Sequence, residues 1–335
     1  MIHRYRHSGF LLLVIFILSS CSSFQKVDTA VLPTPGIQVT PTYEINISPR
    51  PTVTAIPETP EPAGQELFDP LSCSEGYCIF PAPGLLISPF SPEKNQIADA
   101  TYRYGTTQMG QREQHLGMDV SNPAGTPVLA AADGVVVVAG NDDEVRYHPY
   151  GKFYGNLVIV KHEFPVLGQP MYTLYAHLSE VTVNQGEKVN AGVQIGFVGS
   201  TGAAIGSHLH FEVRLGSMDF NSTSNPELWL VPVTNGGDIQ NGILAVSVNN
   251  PKGTPIQSLL VIARPTATAT EQGRTANYGE TYARGIPSTT PWNEIAVFGA
   301  IAPGTYEIVF EKFGKFYRSF AEVEPGKLTL ATIDM

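Results

Sequence analysis

Basic residues and long apolar runs are both scarce in this chain. Lys and Arg together number 20 against 30 Asp and Glu, a formal net charge of −10. Such a chain has no basic surplus to displace phosphate counterions, which argues against a nucleic-acid partner. Its acidity speaks otherwise only to solubility. Three cysteines in 335 residues are too few for a cysteine-rich zinc site once one of them is committed elsewhere. Between residues 67 and 232 amphipathic stretches of convincing helical length are missing. The longest apolar run, Phe10 to Leu18, holds nine residues, well short of the roughly 20 that cross a bilayer as a helix.

What precedes and follows that run is informative. His3, Arg4, Arg6 and His7 lie before it, and Leu18-Ser19-Ser20-Cys21 closes it. A basic start, a short hydrophobic stretch and small residues make the layout of a signal peptide, residues 1–21. The closing tetrapeptide resembles a bacterial lipobox, which implies cleavage before Cys21 and lipidation of its thiol. The expected location is therefore outside the cytoplasm, anchored to a bacterial membrane and facing the cell wall. Cys73 and Cys78 remain, and a close pair in an exported chain predicts a local, structural disulfide.

The length suits roughly two domains. Residues 22–66 are expected to be a tether. Eight prolines between 31 and 64, among threonines and few large apolar groups, leave too little apolar surface to offset the entropy of ordering. Between a coil and full polyproline extension such a leash reaches about 40 to 130 Å. From 67 to 232, short β-type runs ("GVVVVAG", "NLVIVKH", "MYTLYAHL", "HLHFEVR") alternate with glycine and asparagine turns, which predicts an all-β, largely antiparallel domain. A second β pattern fills 233–335 and predicts a small sandwich of about seven strands, with Gly314 and Pro325-Gly326 as turns. This region contains no histidine or cysteine. It weakly resembles the transthyretin-like module of carboxypeptidase regulatory domains.

The chemistry-bearing residues lie in the first of these domains. In "GSHLHFEVR", Leu209, Phe211 and Val213 take one parity, and His208, His210, Glu212 and Arg214 the other. Residues two apart share a face on a strand but diverge on a helix, so both imidazoles project from one surface. Alone, such a pair is more often solvated or hydrogen-bonded than functional. "QHLGMDV" repeats the arrangement, with His115 and Asp119 on one parity and Gly117 leaving room between them. "LYAHLS" adds His177 at the end of another strand, with Tyr175 expected on its face. A catalytic zinc takes three such protein ligands and keeps a fourth place for water.

"HLGMD", "YAHLS" and "GSHLHFEV", with the connecting "GTPVLAAADGVVVVAG" and "VNQGEKVNAGVQIGFVGSTG", closely resemble the lysostaphin/LytM-type zinc metallopeptidases, which cut peptidoglycan. The resemblance spans His115 to Arg214. It implies Zn(2+) held by His115, Asp119 and His210, with His177 and His208 as the catalytic pair. It further implies hydrolysis of peptidoglycan peptides, in cross-bridges or stems, by a zinc-activated water. Which imidazole serves as general base stays open at this level.

Other readings compete. The H-E-x-x-H motif fails because Val166 stands where the second histidine belongs, and G-x-S-x-G fails at Val198. Gly196, Gly199, Gly202 and Gly206 lack the following helix that a phosphate cradle needs, and read as turn residues. A non-enzymatic scaffold or activator of other wall hydrolases would be expected to lack ligands, whereas all five positions are filled. The C-terminal sandwich is a candidate for binding the wall or a protein. His148 and His162 are expected to be structural, and the loop 141–155 to shape a cleft wall. Tyr102 or Tyr104 either lines the cleft or packs as an ordinary tyrosine.

Overall fold

The alternating patterns become strands almost everywhere. The computed structural model describes residues 66–232, 234, 235, 238, 239, 241–266 and 276–335. The expected signal peptide, Cys21 and the tether through residue 65 lie outside the described residues. Helix among the described residues is confined to three single-turn 3₁₀ segments, so the chain is all-β.

A hairpin opens the described chain: β1 (Ser72–Ser74) and β2 (Tyr77–Pro81). Cys73 and Cys78 face each other across it and are disulfide-bonded, with Cα atoms 4.1 Å apart. Then come β3 (Met118–Ser121), β4 (Pro127–Leu129), β5 (Gly134–Asn141), β6 (Asn156–Phe164), β7 (Gln169–Val181), β8 (Lys188–Val189), β9 (Gln194–Val198), β10 (His208–Leu215) and β11 (Thr223–Ser224). These nine form one antiparallel sheet, with β10 between β11 and β7 and also paired to β3. Val135, Val136 and their neighbours suit it because branched side chains pack well on a pleated, half-buried surface.

The remaining strands are β12 (Thr234–Asn235), β13 (Asp238–Ile239), β14 (Gly242–Asn249), β15 (Leu260–Pro265), β16 (Asn277–Glu280), β17 (Ala296–Ile301), β18 (Gly304–Lys312), β19 (Lys315–Val323) and β20 (Lys327–Asp334). The last seven build the two sheets of a sandwich: β16-β15-β18-β19, and β20-β14-β17. The second sheet is extended to five strands by the opening hairpin, because β2 pairs with β20. Residues ahead of the histidine-bearing strands thus complete the sheet of the C-terminal half.

One apolar cluster crosses from the large sheet into this sandwich. Met118, Val120, Leu209, Phe211 and Val213 from below the histidines share it with Trp229, Ile243, Val297 and Leu328. Each such fully buried side chain contributes about 1.5–3 kcal/mol. The strands that carry the site are therefore fixed from beneath by a core that both halves supply.

Candidate metal centre

Strand β10 does what its alternation predicts. Leu209, Phe211 and Val213 are wholly buried in the core, and His208 and His210 project from the other face. Antiparallel pairing sets His210 opposite Asp119 on β3 and opposite Ala176 on β7. His115, in the segment leading into β3, reaches the same point. Its Nε2 lies 3.0 Å from Asp119 Oδ1 and 3.0 Å from His210 Nδ1, and the last two atoms are 2.9 Å apart. One ligand atom from each of the three residues thus falls within 4.8 Å of the others.

Gly117 makes this possible for a reason its spacing did not reveal. A Cβ there would lie 2.5 Å from the Phe211 carbonyl oxygen and 2.9 Å from His210 Cε1 and Nε2, so the space it leaves is taken by the β10 backbone and the His210 ring. His210 Nε2–H donates to Glu212 Oε1 at 3.0 Å, which orients the ring and turns Nδ1 toward His115 and Asp119. Glu212 is in turn bound by Arg214 Nε at 2.8 Å and by the hydroxyl of Tyr154. Glu212 and Arg214 were visible as the continuing polar parity of β10; Tyr154, on a different strand approach, was not.

The electrostatics of the cluster favour positive charge between its donors. Burial opposes ionisation of Asp119, but the imidazoles of His115 and His210 hold its carboxyl well below the usual carboxylate range. Burial likewise opposes a charged His210, yet Asp119 and Glu212 lift it to about 9. Glu212 is held down at about 2: its own burial works the other way and is outweighed by Arg214 and His210. Two nitrogens and a carboxylate oxygen converging in this field fit a divalent zinc ion, whose preferred donors they are.

His177 and His208 lie beside this trio, their rings 4.9 Å apart and His177 5.7 Å from His210. His177 Nδ1–H donates to the Thr201 carbonyl at 2.8 Å, and His208 Nδ1–H to the Gly206 carbonyl at 3.1 Å. Both therefore present Nε2. His208 Nε2 is 3.5 Å from Asp119 Oδ2. Burial, then charge on His210 and His208, pushes His177 down to about 3.

The expected neighbour of His177, Tyr175, is not on its face. Tyr175 packs into the core against Phe211 and its hydroxyl accepts from the Ala131 N–H. The cause is the backbone of His177, whose φ of +62° is left-handed and interrupts the strand alternation. That region costs a non-glycine residue about 1–3 kcal/mol, and such residues gather at functional sites.

The tyrosines divide. Tyr102 lines the cleft, edge-on to His115 at 5.8 Å, whereas Tyr104 is buried and its hydroxyl donates to the Thr223 carbonyl. His148 stacks on Phe153 at 3.7 Å, and burial holds it down at about 4. His162 is enclosed between the Asp133 carbonyl and the Thr173 hydroxyl. Neither joins the cluster. Phe153 brings the 141–155 loop to the cleft wall.

Fold and site together define a metallopeptidase-like β domain. Residues 113–222 match the model of peptidase family M23, and the chain belongs to that family, of the LytM type. It is similar to the DD-carboxypeptidase/endopeptidase Mpg of Neisseria meningitidis, 42% identical over 118 residues, covering 34% of this chain and 24% of that one. It is also similar to the peptidoglycan DD-endopeptidase ShyA of Vibrio cholerae, 42% identical over 99 residues, 30% of this chain and 20% of the other. The catalytic domain of lysostaphin from Staphylococcus simulans is 33% identical, covering 37% of this chain and 86% of that structure, with a TM-score of 0.31. The chain spans a quarter or less of the length of these two curated relatives.

Proposed function

We propose that this protein is an exported, lipid-anchored zinc endopeptidase that hydrolyses peptide bonds in peptidoglycan cross-bridges or stems. Its carrying observation is the meeting of His115 Nε2, Asp119 Oδ1 and His210 Nδ1, with two further imidazoles offering Nε2 alongside. His115, Asp119 and His210 would hold the zinc; two neutral histidines and one carboxylate leave it a net charge of +1. When bound, zinc supplies a Lewis acid and lowers the pKa of water to about 7.

The chain's own groups do the rest. His177 and His208 face the scissile carbonyl from one side: one Nε2 accepts the water's proton, and the other imidazole donates to the oxygen that becomes negative. The carbonyls of Thr201 and Gly206 hold both rings with the proton on Nδ1 and a bare Nε2, the form a base needs; the ring that donates does so as an imidazolium, protonated on Nε2 as well. Glu212 orients His210 and raises its basicity. An anchor at Cys21 and the tether through residue 66 would let the peptidase region, 67–232, work away from the membrane. Residues 233–335 form an accessory module.

The test is metal content against turnover. The purified protein should carry about one zinc per chain and lose wall-cleaving activity to a chelator. Asp119→Ala should lower zinc occupancy. His208→Ala should keep zinc and lose turnover by about 10²–10⁴-fold, the usual contribution of a general acid or base. A His208→Ala variant that digests wall peptides at the parent rate would remove the role assigned to it.

A further inference from the structure

Arg112 is the one lysine or arginine among the side chains lining the cleft of the metal centre. Its guanidinium lies over the Tyr102 ring, 4.4 Å from the centroid, and that ring abuts His115. Nη2 is clamped twice, donating to the Thr101 carbonyl at 2.5 Å and to Thr106 Oγ1 at 2.7 Å. Nε is buried without an acceptor. Among the described residues Nη1 has no acceptor and the guanidinium no ion-pair partner. Asp119, Glu280 and Asp99 act on it only at a distance, and burial depresses its pKa.

Such a group is unusual. A half-buried cation normally acquires a carboxylate partner, because leaving it unpaired forfeits hydration without compensation. Here two fixed acceptors and an aromatic platform hold it still while one end faces a cleft. Arg fits carboxylate geometry better than lysine does, and a guanidinium already immobilised loses little freedom on binding.

We infer that Arg112 is a carboxylate-recognition residue: it binds a free carboxylate of the substrate next to the bond to be cut, and so selects peptides carrying one there. The inference rests on the peptidase reading above. In a stem cross-link whose scissile nitrogen sits on an amino-acid carbon, that same carbon can bear a free carboxylate. A glycine bridge has none, and amidation removes it. Arg112 would thus favour unamidated stem links over glycine bridges and amidated stems. Asp99 and Glu113, acidic like Asp119, would repel the same carboxylate, and Arg112 is the one arginine or lysine lining the cleft to counter them.

The experiment uses the full zinc-loaded chain and two cross-linked peptides that differ only in whether that carboxylate is free or a carboxamide. The parent protein should favour the free acid in kcat/KM by about 10- to 100-fold, the worth of one charged hydrogen bond. Arg112→Gln should lose about that factor on the acid and less than about threefold on the amide, and Arg112→Lys should recover part of the preference. A residue that merely shapes the loop would lower both substrates equally, and that result, or equal parental rates on the two peptides, overturns the inference. Calorimetric binding of the same peptides to chelator-treated protein supplies a second readout. A preference for the acid that survives without metal and vanishes in Arg112→Gln upholds the carboxylate site even if the loaded protein cleaves neither peptide, in which case only the peptidase reading falls.

Discussion

The two walls of the cleft are built by different physics. One wall is strand: Asp119, His208 and His210 project from paired ladders, and their positions follow from register and the core beneath. The other is the irregular segment 99–115, which carries Tyr102, Arg112 and His115. Its first residues are tied to β3, where Asp99 N–H donates to the Asp119 carbonyl and Asp119 N–H to the Tyr102 carbonyl, but from Gly105 onward its backbone is also held from outside the peptidase sheet. Glu280 of β16 accepts from the N–H groups of Thr107 and Met109 at 2.9 and 3.1 Å and from the Thr107 hydroxyl at 2.8 Å. Ala283 N–H donates to the Gly105 carbonyl at 2.8 Å, and Gly105 N–H to the His115 carbonyl at 2.7 Å. Gly105 has a left-handed φ of +78°, and a Cβ there would collide with the Tyr282 ring. One proposed metal ligand therefore depends on hydrogen bonds from the C-terminal sandwich, whereas the other two draw on it only through the shared apolar core. The histidine-free module is part of how the site is assembled, whatever else it binds.

The largest effect is expected on the strand wall. Glu212→Gln keeps an acceptor near His210 Nε2 but removes the charge that raises the imidazole's basicity and balances the buried Arg214. Zinc affinity, read by competition with a chelator, should fall about 10- to 100-fold. Thermal stability should fall too, because a buried ion pair broken on one side costs about 3–5 kcal/mol. Unchanged affinity would mean that the strand wall tunes nothing beyond the three donors.

A smaller and different effect is expected on the loop wall. Glu280→Ala strands two backbone N–H groups and a hydroxyl near His115, at a cost of about 1–3 kcal/mol for each group left buried without a partner. Activity should drop several-fold while the zinc affinity contributed by Asp119 and His210 largely persists. Hydrogen exchange at residues 105–110 should accelerate, with β10 amides unaffected. Acceleration at β10 as well would erase the distinction between the walls.

How far these walls could be read from the amino-acid order follows from the same difference. Strand β10 announces itself by period-two alternation, so its histidine pair and the Glu212–Arg214 continuation were legible, and the Cys73–Cys78 spacing pointed to its bridge. His177 was legible as a residue but not in direction, because a single left-handed φ reverses strand parity and leaves no compositional trace. Gly117 suggested space but not its occupant. The pairing of β2 with β20 joins residues some 250 positions apart, and Glu280 meets Thr107 from 173 positions away. Local periodicity carries no information about such contacts. Tyr104, ambiguous between cleft and packing, is decided by Tyr282, which edges against it at 5.0 Å.

The mildest prediction concerns the sandwich residues behind the loop wall. Glu294 is buried, and burial pushes it up to about 8 although Thr289 N–H and the Tyr282 hydroxyl donate to it. The folded chain thus holds a proton that the unfolded chain releases near 4.5. Between these values the native state binds more protons than the unfolded state, so stability must fall as pH rises. The stabilisation is fully present below about 4.5 and gone above about 8. Melting temperature measured from pH 5 to 8 should therefore decline through this window, on top of any other titration. Glu294→Gln, neutral throughout, should flatten that part of the slope and melt higher than the parent at pH 8. Tyr282 connects Glu294 to Tyr104 and Gly105, so a loss of activity that tracks the parent's stability curve, and disappears in Glu294→Gln, would extend the loop wall's dependence on the sandwich down to a single proton. A slope identical in the two proteins would confine that dependence to Glu280 and the backbone contacts at Gly105.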